Sequence, residues 1–219
     1  MTRRLMPPQP PPFSLTIVLT LLVMLGASML TFALLVRRWT TQRQWTSLAE
    51  WARQRGMRFR PLTSLPLPPV LAGPLEQHAP RLALHLGDER ITVMQLQTGG
   101  TGDAPAGPGR WNLLLRKVPH RRIAVAALRP AQAASSLLDL LDLKQYPSLA
   151  LGHRFVVLAS SSLAARALAN SASRTLLPAD LGLLVCDEHI LIDFSSRPFD
   201  PIELDRMIAL SEQLALMLA

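Results

Sequence analysis

The run Phe13–Val36, FSLTIVLTLLVMLGASMLTFALLV, contains 24 residues and no charge. As a helix rising about 1.5 Å per residue it reaches roughly 36 Å, enough to cross a hydrocarbon core of about 30 Å with some tilt. Within a bilayer every backbone N–H and C=O must be paired inside the chain, and one helix does this alone. The hydroxyls of Ser14, Thr16, Thr20, Ser28 and Thr31 can bond back to carbonyls one turn earlier, so lipid need not expel them. A secretory signal has an apolar stretch of about 7–15 residues followed by a small-x-small cleavage site. This run is longer and ends instead at Arg37-Arg38-Trp39, cations followed by an aromatic suited to the headgroup layer. A single N-terminal transmembrane helix over 13–36 is therefore expected.

The charge distribution gives this helix a direction. The chain carries a net +8, which by itself invites a nucleic-acid reading. The excess is local, however. Residues 37–60 hold seven arginines against Glu50, a net +6, whereas residues 61–219 hold fourteen bases and fourteen acids. Arg3 and Arg4 are the basic side chains before the helix. Positive flanks stay on the cytoplasmic side, which predicts the N-terminus outside, the C-terminal domain inside, and a place in the inner (cytoplasmic) membrane. Arg37, Arg38, Trp39 and Arg43 are the expected membrane-interface residues. The lipid bilayer is one partner and an unidentified protein the other; nucleic acid is not expected.

The chain divides by composition. Residues 1–12 are a proline-rich tail with no expected structure. Residues 37–56 are rich in helix formers and end at Gly56, predicting a basic juxtamembrane helix that continues the membrane helix. Trp45, Leu48, Ala49, Ala52 and Trp51 fall at helical spacing, which suits packing on the folded domain or lying on anionic headgroups. Residues 57–80 hold six prolines among leucines, the composition of an extended strap laid across a domain.

From residue 81 the period becomes that of strands. Residues 81–86 and 90–96 predict a hairpin turned at Gly87-Asp88-Glu89, and 111–118 and 120–128 predict two more strands meeting at Pro119. The glycine-rich segment 99–109 lacks the lysine and hydroxyl of a phosphate cradle. A helix is predicted over 130–144, a strand over 153–160, a short helix over 162–170, and a hairpin of 181–186 with 189–194. The last segment begins with Asp200 as cap, Pro201 in the first turn and Glu203 reaching back as in a capping box. Leu204, Met207, Ile208, Ser211, Leu214, Ala215 and Leu218 then form an amphipathic stripe. The predicted fold class is α+β: a soluble domain over 81–219 built of antiparallel hairpins with helices on one side.

Candidate chemistry is sparse. Cys186 and His189 flank the turn Asp187-Glu188, yet Cys186 closes an apolar run and reads as a small buried hydrophobe. His78, His85, His120, His153 and His189 show no ligand spacing. Asp139 with Asp142, and Asp200, Glu203 and Asp205, are carboxylate groups that solubility and helix capping explain. Ser160-Ser161-Ser162 reads as a strand end and helix cap, since G-x-S-x-G is absent. Lys117, His120, Arg121 and Arg122 form a possible anion patch. No catalytic residue, cofactor or metal is expected.

Val36-Arg37-Arg38-Trp39-Thr40, Trp45, Trp51-Ala52 and Gly56-Met57-Arg58-Phe59 resemble the start of a family of uncharacterised bacterial membrane-anchored proteins. His120-Arg121-Arg122-Ile123-Ala124-Val125 and Ile190-Leu191-Ile192-Asp193-Phe194 extend the resemblance across about residues 30–218. It implies one N-terminal transmembrane helix and a cytoplasmic, strand-rich domain, and carries no catalytic residue. The expected function is non-catalytic protein binding or scaffolding at the cytoplasmic face. The alternatives are an unrecognised membrane-associated hydrolase or transferase, and contact of residues 37–60 with anionic lipid or nucleic acid.

Overall fold

The computed structural model describes residues 15–59, 68–77, 81–87, 90–97, 110–118, 123–132, 138, 143 and 146–218. The chain divides into two compact units, Met1–Thr46 and Ser47–Ala219. The first is dominated by helix α1, whose full extent is Leu15–Gln54. Its segment Ile17–Val36 has a mean hydropathy of 2.4 and none of it is buried in protein, which makes it long and apolar enough to cross a membrane. Two of the five hydroxyls are seen to bond as the sequence suggested: Ser28 Oγ donates to the Met24 carbonyl at 2.8 Å and Thr31 Oγ1 to that of Ala27 at 2.9 Å.

The C-terminal end of α1 belongs to the second unit. Gly56 takes a φ of 68°, a conformation that costs glycine nothing. Met57 N then donates to the Ala52 carbonyl at 2.9 Å and Gly56 N to that of Arg53 at 3.2 Å. This paired closure satisfies two end carbonyls and brings Met57 against the last turn. Leu48, Trp51, Ala52 and Met57 are all buried in the main core.

That core lies against one face of a nine-stranded antiparallel sheet, counted among the described residues. The strands are β1 (Arg58–Phe59), β2 (Arg81–Gly87), β3 (Ile91–Gln97), β4 (Arg110–Lys117), β5 (Ile123–Pro130), β6 (Ser148–Leu151), β7 (Phe155–Ala159), β8 (Gly182–Asp187) and β9 (His189–Asp193). Their spatial order is β1-β2-β3-β4-β9-β8-β5-β7-β6. Helix α2 is Pro69–Gln77, α3 is Ser162–Arg174 and α4 is Pro201–Leu218. The α+β class and the antiparallel pairing agree with the sequence reading.

Both faces of the central sheet are buried. Val93, Leu114, Val185 and Ile192 point into the core shared with α1, α3 and α4. Met94, Leu113, Leu184 and Leu191 point the other way, into a cluster with Leu71 of α2, Leu138 and Leu143. The expectation of cover on one side is thus corrected. Unbroken apolar runs such as Leu183-Leu184-Val185-Cys186 mark strands buried on two faces rather than one.

Four further expectations change. Strands β4 and β5 do not pair with each other; the hairpin β8–β9 inserts between them, with β4 on β9 and β5 on β8. The strap 57–80 contains α2, which starts on Pro68: its carbonyl accepts from Leu71 N at 2.8 Å and Ala72 N at 3.0 Å, while Pro69 fits a first helical turn that needs no N–H. Pro130 closes β5 rather than opening a helix; most of 131–145, with Asp139 and Asp142, lies outside the described residues, as does the glycine-rich segment 99–109. The single strand expected over 153–160 is the second arm of a hairpin, β6–β7, turned at Gly152 with a φ of 62°.

Candidate interaction surfaces

Most side chains singled out in the sequence occupy structural places. Cys186 is fully buried, and burial followed by the nearby Asp187 charge pushes its thiol up to about 12. A nucleophilic cysteine needs the opposite shift. His189 stands directly across the β8–β9 hairpin from it. Burial, and then the charge of Lys117, holds this imidazole below the usual histidine range, and its buried Nδ1 has no hydrogen-bond partner among the described residues. The turn between them places Asp187 at a φ of 50°, which aspartate tolerates. Cys186 is here a packing residue of the second face.

Of the anion patch, Lys117 is described, and its Nζ lies 3.9 Å from the Glu188 carboxylate with both side chains well exposed. Such a pair is worth little. His120, Arg121 and Arg122 lie outside the described residues. The same holds for the side chains of Arg37, Arg38, Trp39 and Arg43, although their backbone belongs to α1. Ser160 and Ser161 serve locally: Ser160 Oγ donates to the Val125 carbonyl at 3.1 Å, and Ser161 Oγ accepts from Ala164 N at 3.1 Å as the cap of α3.

The carboxylates at the start of α4 divide into cap and core. Asp200 Oδ1 accepts from Glu203 N at 2.9 Å, the expected cap. Glu203 does not complete a capping box. Its side chain is 7% exposed and turns to Arg197, whose Nη1 donates to Oε1 at 2.6 Å, and to Arg206 at 3.1 Å. The same Arg197 guanidinium grips Asp180 with two bonds of 2.7 and 2.8 Å. That grip holds the Asp180 carboxyl below the usual range. A buried acid was better served by a cation across the connection than by the exposed N–H of its own cap.

Arg197 also belongs to a polar seam that the sequence reading missed. Gln95 Nε2 donates to Asn112 Oδ1 at 2.7 Å, and Asn112 Nδ2 donates to the Arg197 carbonyl at 2.8 Å. Ser195 Oγ accepts from Asn112 N at 3.1 Å and donates to Asp193 Oδ1 at 2.5 Å. These bonds satisfy polar groups in the middle of the sheet and fix the β9–α4 connection. A second tie holds the end of α1 to α4: Trp51 Nε1 donates to Asp205 Oδ1 at 2.6 Å, and Arg55 Nη2 of the guanidinium lies 2.8 Å from the same oxygen.

Among the described residues a groove lies between α3 and α4, of about 280 Å³, lined by Ala167, Asn170, Ser171, Arg174, Met217 and Leu218. Leu163 at the start of α3 and Leu216 in the last turn of α4 are 79% and 78% exposed. Beyond α3, Leu176 is 81% exposed and adopts a φ of 49°, a left-handed position usually held by glycine. The segment SLAARALANSASR is rich in small residues and free of acid, and a helix of that composition reads as an ordinary surface helix.

No protein-family model and no curated protein sequence matches the chain. Among solved structures, the chain is similar to the crystal structure of the mycobacterial trehalose monomycolate transport factor A, TtfA, at 12% identity and a TM-score of 0.51, over 79% of this chain and 93% of that one. At that identity the likeness is one of fold.

Proposed function

We propose that this chain is a single-pass protein of the cytoplasmic membrane, with its N-terminus outside, whose cytoplasmic domain binds a protein partner and does not catalyse a reaction. The observation that carries the reading is the helix segment Ile17–Val36, apolar along its length and with none of it buried in protein. A side-chain surface of that kind needs lipid around it. The net +6 over residues 37–60 supports the orientation. The solved protein of similar fold is named as a transport factor, and by analogy this domain is an accessory to a membrane transport or envelope-assembly system. The basic segment 37–60 serves topology and contacts anionic headgroups at the membrane surface, each near-surface arginine adding about 1 kcal/mol.

The test has two arms. Carbonate and high-salt washes should leave the protein in the membrane pellet, and a C-terminal reporter that works on one side of the membrane should be active in the cytoplasm. Release by either wash removes the anchor, and reporter activity on the outer side reverses the orientation.

A further inference from the structure

We propose that the α3/α4 groove receives an amphipathic helix of a protein partner, with an apolar side chain seated between Ala167 and Met217 and a carboxylate on Arg174. The proposal rests on the protein-partner reading above and specifies its surface and chemistry. Shape is the first argument. A trough between two helices is the usual seat of a third, whose ridge of side chains enters it. Ala167 lets the backbone of that helix come close, and Met217 on the facing wall is a flexible thioether that adapts to the inserted side chain. A bilayer is flat and meets protrusions, so it does not reach the floor of a trough.

Charge is the second argument. Helix α3 carries Arg166 and Arg174 and no acid. Arg55, Arg116, Arg197 and Arg206 each reach a carboxylate, whereas among the described residues neither arginine of α3 does. Arg174 lies in the last turn, where the helix dipole favours a cation; Arg166, in mid-helix, has no such cause. Two cations without a carboxylate partner among the described residues, Arg174 on the groove wall and Arg166 on the same helix, stand by a trough where Ala167, Met217 and Leu218 alternate with Asn170 and Ser171, and they select an occupant that is apolar on one side and acidic at its flank. They also oppose a second copy of this chain, because a two-fold contact would set the same arginines against each other.

The experiment uses the full chain in its native membranes. A photoreactive amino acid replaces Asn170 or Met217 in the groove, or Ala150 or Ile202 elsewhere on the domain, and the crosslinked segments are mapped by mass spectrometry. The expected result is an adduct from both groove positions to one protein segment with apolar residues at helical spacing and acids beside them. Its yield should fall about tenfold in Arg174→Glu, where attraction becomes repulsion, and recover in Arg174→Lys. Adducts to lipid, to a second copy or to a segment without acids overturn the proposal, as does an unchanged yield in Arg174→Glu. Protein adducts from Ala150 or Ile202 alone overturn the groove assignment and leave the partner reading standing. The absence of protein adducts at all four positions overturns both.

Discussion

Replacing Arg197 by methionine tests the account of the β9–α4 connection most sharply. The substitution keeps much of the aliphatic stem and removes the guanidinium. Glu203, 7% exposed, then loses its 2.6 Å partner. Breaking a buried pair costs about 3–5 kcal/mol when the remaining charge is stranded. Here Arg206 still stands 3.1 Å from Oε2, though its own side chain is 68% exposed, so the charge is not fully stranded and the cost falls to the bottom of that range or just below it, about 2–3 kcal/mol. Asp180 is 44% exposed, and after solvent screening its loss adds at most about 1 kcal/mol. The sum is about 3 kcal/mol, to be read from urea unfolding of the full chain in detergent, with the buried Trp51 and Trp111 as fluorescent reporters. Glu203→Gln combined with Arg197→Met should cost less than the two single changes added together, by about 1–2 kcal/mol. The acid limb gives a further check. Asp180 is held low in the folded protein chiefly by its bond to Arg197. Its contribution is therefore present above its unfolded value of about 3.9 and is lost as pH falls through the lower folded value. In Arg197→Met that part of the pH dependence should flatten. A cost below about 1 kcal/mol, strict additivity with Glu203→Gln, or an unchanged acid limb would refute the reasoning.

Two further substitutions probe other parts of the domain. Cys186→Ala should destabilise by about 1–2 kcal/mol through lost burial and a small cavity, and the wild-type thiol, with its pKa pushed up to about 12, should react with a bulky thiol reagent at pH 8 only as fast as the protein unfolds; fast labelling of folded protein contradicts the burial. Leu176→Gly should raise stability by about 0.5–1 kcal/mol, because glycine holds a left-handed φ without the Cβ clash, and a loss of stability in the same urea titration would show that the exposed leucine packs on the domain.

The sequence made some elements legible because their causes are local. The long apolar helix follows from an uncharged run, the stop at Gly56 from one residue that accepts positive φ, and the cap of α4 from Asp200 and Pro201. The β8–β9 hairpin was legible because Asp187-Glu188 separates two apolar runs of matching length. What stayed hidden depends on partners distant in the chain. Residues 111–118 and 120–128 read as neighbours meeting at Pro119, and the pair that parts them leaves no mark there, since a strand's own residues do not name its neighbour. Glu203 looks like a capping-box acid until Arg197 is placed beside it. Ala167 and Met217 are 50 positions apart, and nothing in either segment announces a shared groove.

The place of β8–β9 in the sheet has a consequence for the order of synthesis. Strands β1 to β4 are complete once Lys117 has been made, and β5 to β7 once Ala159 has been made. Neither set closes the sheet, because the two strands that join them span Gly182–Asp187 and His189–Asp193. A ribosome that has reached residue 181 therefore holds a chain already equipped with its long apolar helix and two half-sheets. The open borders of those half-sheets, β4 and β5, are apolar strands with unpaired backbone groups. Edges of that kind recruit other chains, and contacts closed so late along the chain slow folding. The last closing piece sets the interval during which the nascent protein is sticky, and a chain stopped before residue 182 stays in that state.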